Sequence, residues 1–383
     1  MEATPPVAAA AAAAASANLS RYDIYRSVLT NTTLLHMITP YQDGFFGDLM
    51  PRVEEWKAMR REFSYYVLPE RYLAYVGPTA ATSSTKSKLK VSGGYDLGIN
   101  WLGRDPRFLL HISILENNLP LIKRWLACRG RRYLTPRALD CAARYGRMEI
   151  VQYFDAMRFP CTMQAMISAA CFGHLNVVQF LHAHRREGCN SEAMDYAAEH
   201  GHLDIVRFLH THRREGCTYA AMNFAAKNGH LDVVTFLHTH RAEGCTEDAI
   251  DFAALNGHLH VIEYLQAERT EGCTIYAMNH AAARGFLDVV RFLHTHRTEG
   301  CTTLAMDDAA KNNHLDVVAF LHEHRSEGCT PLALEDAVRH GHVAIVKFLV
   351  ENRTEGDVKH AKALAEQLGQ YDVLRYLIQV CPA

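Results

Sequence analysis

Apolar and polar positions recur in this chain with a period of 28 residues, from Cys161 through Cys189, Cys217, Cys245, Cys273 and Cys301 to Cys329. Within the unit that starts at Cys217, Ala221, Met222, Ala225 and Ala226 fall at helical spacing, with Thr218 placed to cap the helix N-terminus and Gly229 to end it. A second apolar set, Leu231, Val233, Val234, Phe236 and Leu237, defines the buried face of a second helix. Asp232 lies in its first turn, where the macrodipole favours an anion. Asp232, Thr235, Thr239 and Ala242 form a single outer stripe. Arg241 falls near the helix's negative end, and Gly244 stops it. Each unit therefore predicts a helix pair. The small alanines let neighbouring helices approach closely, and one pair cannot bury this much apolar surface without its neighbours.

Weaker copies extend the pattern in both directions. Ala142, Ala143, Gly146 and Ile150 form one upstream copy, and Asn117, Leu119 and Ile122 outline an earlier one. Gly369, Asp372, Val373 and Leu377 close the series. The predicted fold is all-α: a solenoid of about ten stacked helix-turn-helix units over residues 105–383, with a small helical N-terminal region.

The run Ala225-Ala226-Lys227-Asn228-Gly229-His230-Leu231-Asp232-Val233-Val234 resembles the ankyrin repeat, and the likeness spans residues 105–383. Two departures matter. The period is shorter than the family's usual period of about 33 residues. The Thr-Pro-Leu-His start is replaced by Ala220-Ala221-Met222-Asn223 and its equivalents, and Thr330-Pro331-Leu332 lies two positions out of register. The missing length falls where the resemblance implies a projecting β-hairpin finger. Short turns are therefore expected there, and a binding mode that relies on fingertips is not.

Composition narrows the function. Forty Lys and Arg balance 42 Asp and Glu for a formal charge of -2, without the basic surplus of a nucleic-acid binder. No apolar run reaches the ~18 residues of a membrane span. The Ala8–Ala15 tract is short, and no Lys or Arg precedes Arg21, so no secretory signal is expected. The expected setting is the cytoplasm, with the nucleus as an alternative, and the expected state is a monomer.

The 11 cysteines and 23 histidines invite a metal or redox reading. Equivalent cysteines in stacked units would stand ~8–10 Å apart, beyond the ~7 Å that a disulfide tolerates. Reduced, buried thiols are expected instead. The histidines form three columns: His174, His202, His230, His258, His314 and His342; then His182, His210, His238, His294 and His322; then His184, His212, His240, His296 and His324. Helical residues two apart do not share a face, so the His-x-His pairs should not chelate one ion. The first column is expected to cap the second helix, and the other two to complement its C-terminal dipole. No metal and no cofactor are expected. A catalytic site is one constellation in one place, whereas these residues recur in every unit. No phosphate-binding glycine loop or nucleophile elbow occurs, so no enzyme is expected.

Positions 7, 8, 11 and 12 of the first helix vary from unit to unit and lie opposite the alanine face. They read Asp195, Tyr196, Glu199 and His200; then Asn223, Phe224, Lys227 and Asn228; then Asp251, Phe252, Leu255 and Asn256. The next two units carry Asn279, His280, Ala283 and Arg284, then Asp307, Asp308, Lys311 and Asn312. The ankyrin resemblance implies that this helix lines a concave surface that touches ligands. The expected partner is a protein or peptide, its apolar part meeting Tyr196, Phe224 and Phe252. Those three aromatics could equally pack between helices.

Residues 1–19 are expected to be disordered, 20–76 helical, and 77–104 a flexible linker that includes Lys86, Lys88 and Lys90. In the middle segment, Val28, Leu29, Leu34, Leu35, Ile38, Tyr41, Asp48, Leu49, Val53 and Trp56 faintly resemble an F-box, although Leu29-Thr30 replaces its Leu-Pro start. The resemblance implies a ubiquitin-ligase adaptor. Without it, the segment reads as a helical cap for the first repeat.

Overall fold

The structure is a computed structural model that describes residues 61–62, 65–68, 89–92 and 107–381. It divides into two compact units, residues 1–165 and 166–383. The first contains a three-stranded antiparallel sheet, β1 (Arg61–Glu62), β2 (Tyr65–Leu68) and β3 (Leu89–Ser92), with Glu62 opposite Tyr65 and Leu68 opposite Leu89. Strand thus replaces the expected helix at 61–62 and 65–68, and the expected linker at 89–92. The F-box-like positions, the 1–19 tail and the rest of 20–76 lie outside the described residues.

Helices α1 (Phe108–Leu115), α2 (Leu119–Arg129), α3 (Pro136–Arg144) and α4 (Met148–Ala156) follow in the first unit. The remaining pairs are α5 (Gln164–Cys171) with α6 (Leu175–His184), α7 (Glu192–Glu199) with α8 (Leu203–His212), and α9 (Tyr219–Lys227) with α10 (Leu231–His240). Next come α11 (Asp248–Leu255) with α12 (Leu259–Glu268), and α13 (Ile275–Arg284) with α14 (Leu287–His296). The series closes with α15 (Thr303–Lys311) and α16 (Leu315–His324), α17 (Pro331–Arg339) and α18 (Val343–Asn352), and α19 (Val358–Leu368) and α20 (Tyr371–Val380). The twenty α-helices of the described residues make ten pairs, the number that the period predicts. No strand occurs among residues 107–381, so short turns stand where a finger would project.

The core follows the repeat. Ala221, Met222, Ala225 and Ala226 are buried with Val233, Val234 and Leu237, and the same positions are buried in neighbouring units. Thr218 caps α9 by accepting the Ala220 N–H at 3.1 Å. Gly229 adopts the left-handed conformation, with φ +78°. A Cβ there would also fall 2.7 Å from Nδ1 of His258 in the next unit, so shape and backbone both require glycine. His202, His230 and His258 do occupy the N-cap positions, yet their side chains make no cap hydrogen bond. The capping role expected of that column is therefore corrected. These rings stand over the preceding unit's glycine, and in one case His342 Nε2 donates to Lys311 O at 2.9 Å.

Hydrogen bonds lock one unit to the next. Asp195 accepts from the Thr218 N–H at 2.8 Å and from its hydroxyl at 2.9 Å. Asn223 does the same work with Thr246, accepting from its N–H at 3.0 Å and donating from Nδ2 to its Oγ1 at 2.7 Å. Asp251–Thr274, Asn279–Thr302 and Asp307–Thr330 continue the ladder. Thr218, Thr274, Thr302 and Thr330 are at the same time the N-caps of their helices, so the bond that joins two units also starts the next one, whereas Thr246 stands one residue before the N-cap Glu247. In the turns, each arginine pairs with the glutamate two residues on, from Arg185–Glu187 to Arg353–Glu355. Although burial opposes it, the Arg269 guanidinium and nearby N–H groups pull the Glu271 carboxyl down to about 2.

Replacing Asp251 with alanine strands the Thr274 N–H and hydroxyl, and should cost about 2 kcal/mol in thermal unfolding of the full chain. Asp251→Asn should stay near wild type, because Asn223 and Asn279 already fill the same rung. Burial holds the Asp251 carboxyl above its ordinary range, against the pull of the two Thr274 bonds. Its folded value lies above its unfolded one, so ionisation costs stability as the pH rises through that range. The Asn variant should therefore gain on wild type above the ordinary carboxylate range and lose that advantage below it.

Deleting residues 217–244 brings Asp195 opposite Thr246 and restores a rung, so circular dichroism should show a folded stack. Removing 14 residues instead should unfold the neighbouring units.

Candidate interaction surface

The predicted partner-contact residues divide into two groups. Asp195, Asn223, Asp251 and Asn279 at position 7 are buried, with 2–7% of their surface exposed. They are the rungs just described and present nothing to a partner, which corrects the expectation for those four. Tyr196 is exposed, whereas Phe224, Phe252 and His280 at position 8 are half-buried on the same face. Lys227 Nζ stands 5.8 Å from the Phe224 ring centroid, and the His280 ring stacks on Tyr276 with centroids 5.8 Å apart. These side chains lie between core and solvent, with one side on the stack and the other free.

Positions 11 and 12 follow the same divided pattern. Glu199, Lys227, Leu255 and Asn256 are half-buried, and His200, Asn228 and Arg284 are exposed. Asn228 Nδ2 donates to Glu199 O at 2.7 Å, and Asn256 Nδ2 donates to Lys227 O at 2.9 Å. Asn312 repeats the bond to Ala283 O at 2.8 Å. These asparagines tie adjacent first helices together at the edge of the exposed face, which leaves Glu199, Lys227 and Arg284 as its charged lane.

The structure adds residues that the variable positions did not include. Tyr219, Ile275, Tyr276, Leu304 and Leu332 are 37–56% exposed at positions 3 and 4, on the first helical turn. Position 4 lies one turn before position 8, so the two share a face. The apolar lane runs through Tyr196, Phe224 and Phe252 at position 8 and then shifts to Tyr276, Leu304 and Leu332 at position 4. There Asp308 and Asp336 occupy position 8.

The cysteines are all free. Burial is the main force raising their thiols, Cys217, Cys273 and Cys329 to about 11, so the repeated column is poorly nucleophilic. Among the described residues, no group of three or more His, Cys, Asp or Glu could hold a metal ion. No helix of the described residues is long and apolar enough to cross a membrane.

Such a stack of short helix pairs, each built on the next, is a repeat protein in which every unit supplies a slice of one surface. A family model for ankyrin repeats (3 copies) matches residues 250–326 and 278–362, and one for ankyrin repeats (many copies) matches 162–210, 194–238 and 217–266. Together they cover 162–362 without a gap, more than half of the 383 residues, and the chain belongs to the ankyrin repeat family. Repeats of this family are generally protein–protein interaction modules and typically not catalytic. No curated protein matches the chain.

Because the Cys and His columns serve packing and helix ends, strong chelator should leave the thermal melt unchanged. A zinc content near one per repeat, with unfolding on its removal, would contradict that assignment.

Proposed function

We propose that the chain is a non-catalytic interaction scaffold that holds a partner protein or peptide along the exposed face of its first helices. One observation carries this reading. Before α20, every exposed large apolar side chain among the described residues lies on a first helix or within a residue of one, and no second helix exposes any. Isolated exposed apolar residues need no explanation. A row confined to one face of successive units does, and such a row is what a partner would cover.

Neighbouring first helices also approach more closely than neighbouring second helices, because alanines line their contact. A ligand laid across the first helices would therefore touch several units at once. The charged lane of half-buried Glu199 and Lys227 and exposed Arg284 carries both signs of charge. It would fix register and orientation rather than supply the bulk of the affinity.

Affinity capture with the full chain and with residues 105–383, read by mass spectrometry, identifies the partner and asks whether the N-terminal region contributes. Against that partner, Tyr276→Ala and Leu304→Ala should each weaken binding by about 2 kcal/mol if they are central anchors, with the melting temperature unchanged. Arg207→Ala and Thr235→Ala, on the second-helix side, should be near neutral. Loss of binding from the second pair and not the first would reverse the working face.

A further inference from the structure

The second-helix side carries chemistry that the proposed partner surface leaves unused. His182, His210, His238, His294 and His322 at position 22 each meet the position-20 ring of the next unit edge-on, with centroids 5.5–5.9 Å apart. At three of these seams the next unit also brings in its own histidine: His182 faces His212 at 5.7 Å, with Arg213 following in the chain, and at the other two an arginine acts on the position-22 ring as well. His210 faces His240 at 5.7 Å, with Arg241 and Glu243 beyond it. His294 faces His324 at 5.6 Å, with Arg325 and Glu327 beyond it. Arg207 and Arg291, on the same helices as these histidines, lie over the Phe236 and Phe320 rings that the two histidines touch.

At His210 and His294 a second proton would go unpartnered. Nδ1 of His210 and of His294 is shielded from solvent and accepts no hydrogen bond from the protein. A proton added there would find no acceptor. The two carboxylates within reach, Glu243 and Glu327, are already held by Arg241 and Arg325. His240 donates from Nδ1 to Phe236 O at 3.0 Å, so that atom is taken up and offers no acceptor to His210.

The unit from Cys245 to Gly272 departs from this arrangement. Gln266 replaces histidine at position 22 and Glu268 replaces it at position 24. Glu268 Oε2 lies 3.7 Å from His238 Nε2, ready to balance a charge there. Gln266 Oε1 accepts from Arg297 Nη1 at 3.1 Å. The two seams of this unit therefore lack the pairing of two imidazoles with an arginine.

We propose that the seams at His210 and His294 are acid-sensitive joints. Protonating the position-22 imidazole there sets a cation against a second histidine and an arginine, so both seams loosen, while the seams flanking residues 245–272 stay closed. The titration has the right sign. Burial, then Arg241 and His240, hold His210 below the ordinary histidine value. Burial, then Arg325 and His324, do the same for His294. A folded value below the unfolded one means that the contribution is full above the ordinary value and falls as the pH drops below it.

Hydrogen–deuterium exchange of the full chain at pH 7.5 and 5.5, corrected for intrinsic rates, tests this. Peptides from α8, α14 and α16 should exchange severalfold faster at pH 5.5, and those from α12 should not. The double variant His210→Gln, His294→Gln copies a residue that the repeat already accepts. It should keep wild-type protection at pH 7.5 and lose the acid response. In the opposite direction, Gln266→His with Glu268→His should make α12 acid-sensitive, a gain that stays readable if the glutamine variant folds poorly. Equal acceleration in α12 and the other helices of the wild type would overturn the proposal, as would a full acid response in the glutamine variant.

Discussion

A helix pair of 28 residues leaves apolar surface on two sides, and only a neighbouring pair can cover it. What fixes how the neighbour sits is a polar contact, the buried Asp or Asn that reaches the Thr of the next unit. At Thr218, Thr274, Thr302 and Thr330 that threonine is an N-cap, so the rung orients the next helix at its first residue. Alanines then bring the two first helices together, and the variable side chains at positions 4, 8, 11 and 12 are left facing outward. Surface and stack are thus set by the same contact. A residue can be varied on the outer face because the rung keeps to Asp or Asn in these units and the alanines and the left-handed residue, glycine or Asn313, carry the stacking.

The ladder alternates in a way that has a physical reading. Asp195, Asp251 and Asp307 are separated by Asn223 and Asn279, so buried carboxylates fall on every second rung. Units ~10 Å apart would place adjacent carboxylates about one Debye length from each other. Alternation doubles that separation. Either side chain satisfies the threonine, since Asn can donate to the hydroxyl oxygen and Asp can accept from the hydroxyl hydrogen.

The repeat, the ends of the first helix and its threonine cap could be read from the sequence, because period and turn residues are local properties, whereas the second helix ends at His240, short of Ala242 and of the Gly244 expected to stop it. Cys161 to Cys329 gave the spacing, and Thr218 and Gly229 marked the ends of one helix. The exposed face was read less well, since a single helix does not say how it is rotated against its neighbours. Positions 7 and 8 are adjacent on the helix, and stacking turns Asn223 inward while Phe224 stays at the surface. One clue was present: position 7 is Asp or Asn in five successive units, whereas position 8 changes from Tyr to Phe, His and Asp. Tyr276, Leu304 and Leu332 were missed because position 4 was not taken with position 8, one turn away. The link between Arg241 and Glu243 spans two residues of turn and has no helical period to reveal it.

A partner held by this chain meets its first helices if they are the working face. A photo-crosslinking amino acid placed at Tyr276 or Leu304, and separately at Thr235 or Thr239, tests it most directly against the captured partner. Adducts from the first two positions and none from the second two are the predicted result. Adducts confined to Thr235 and Thr239 would contradict it, because the partner would then lie on the side where every unit presents its second helix.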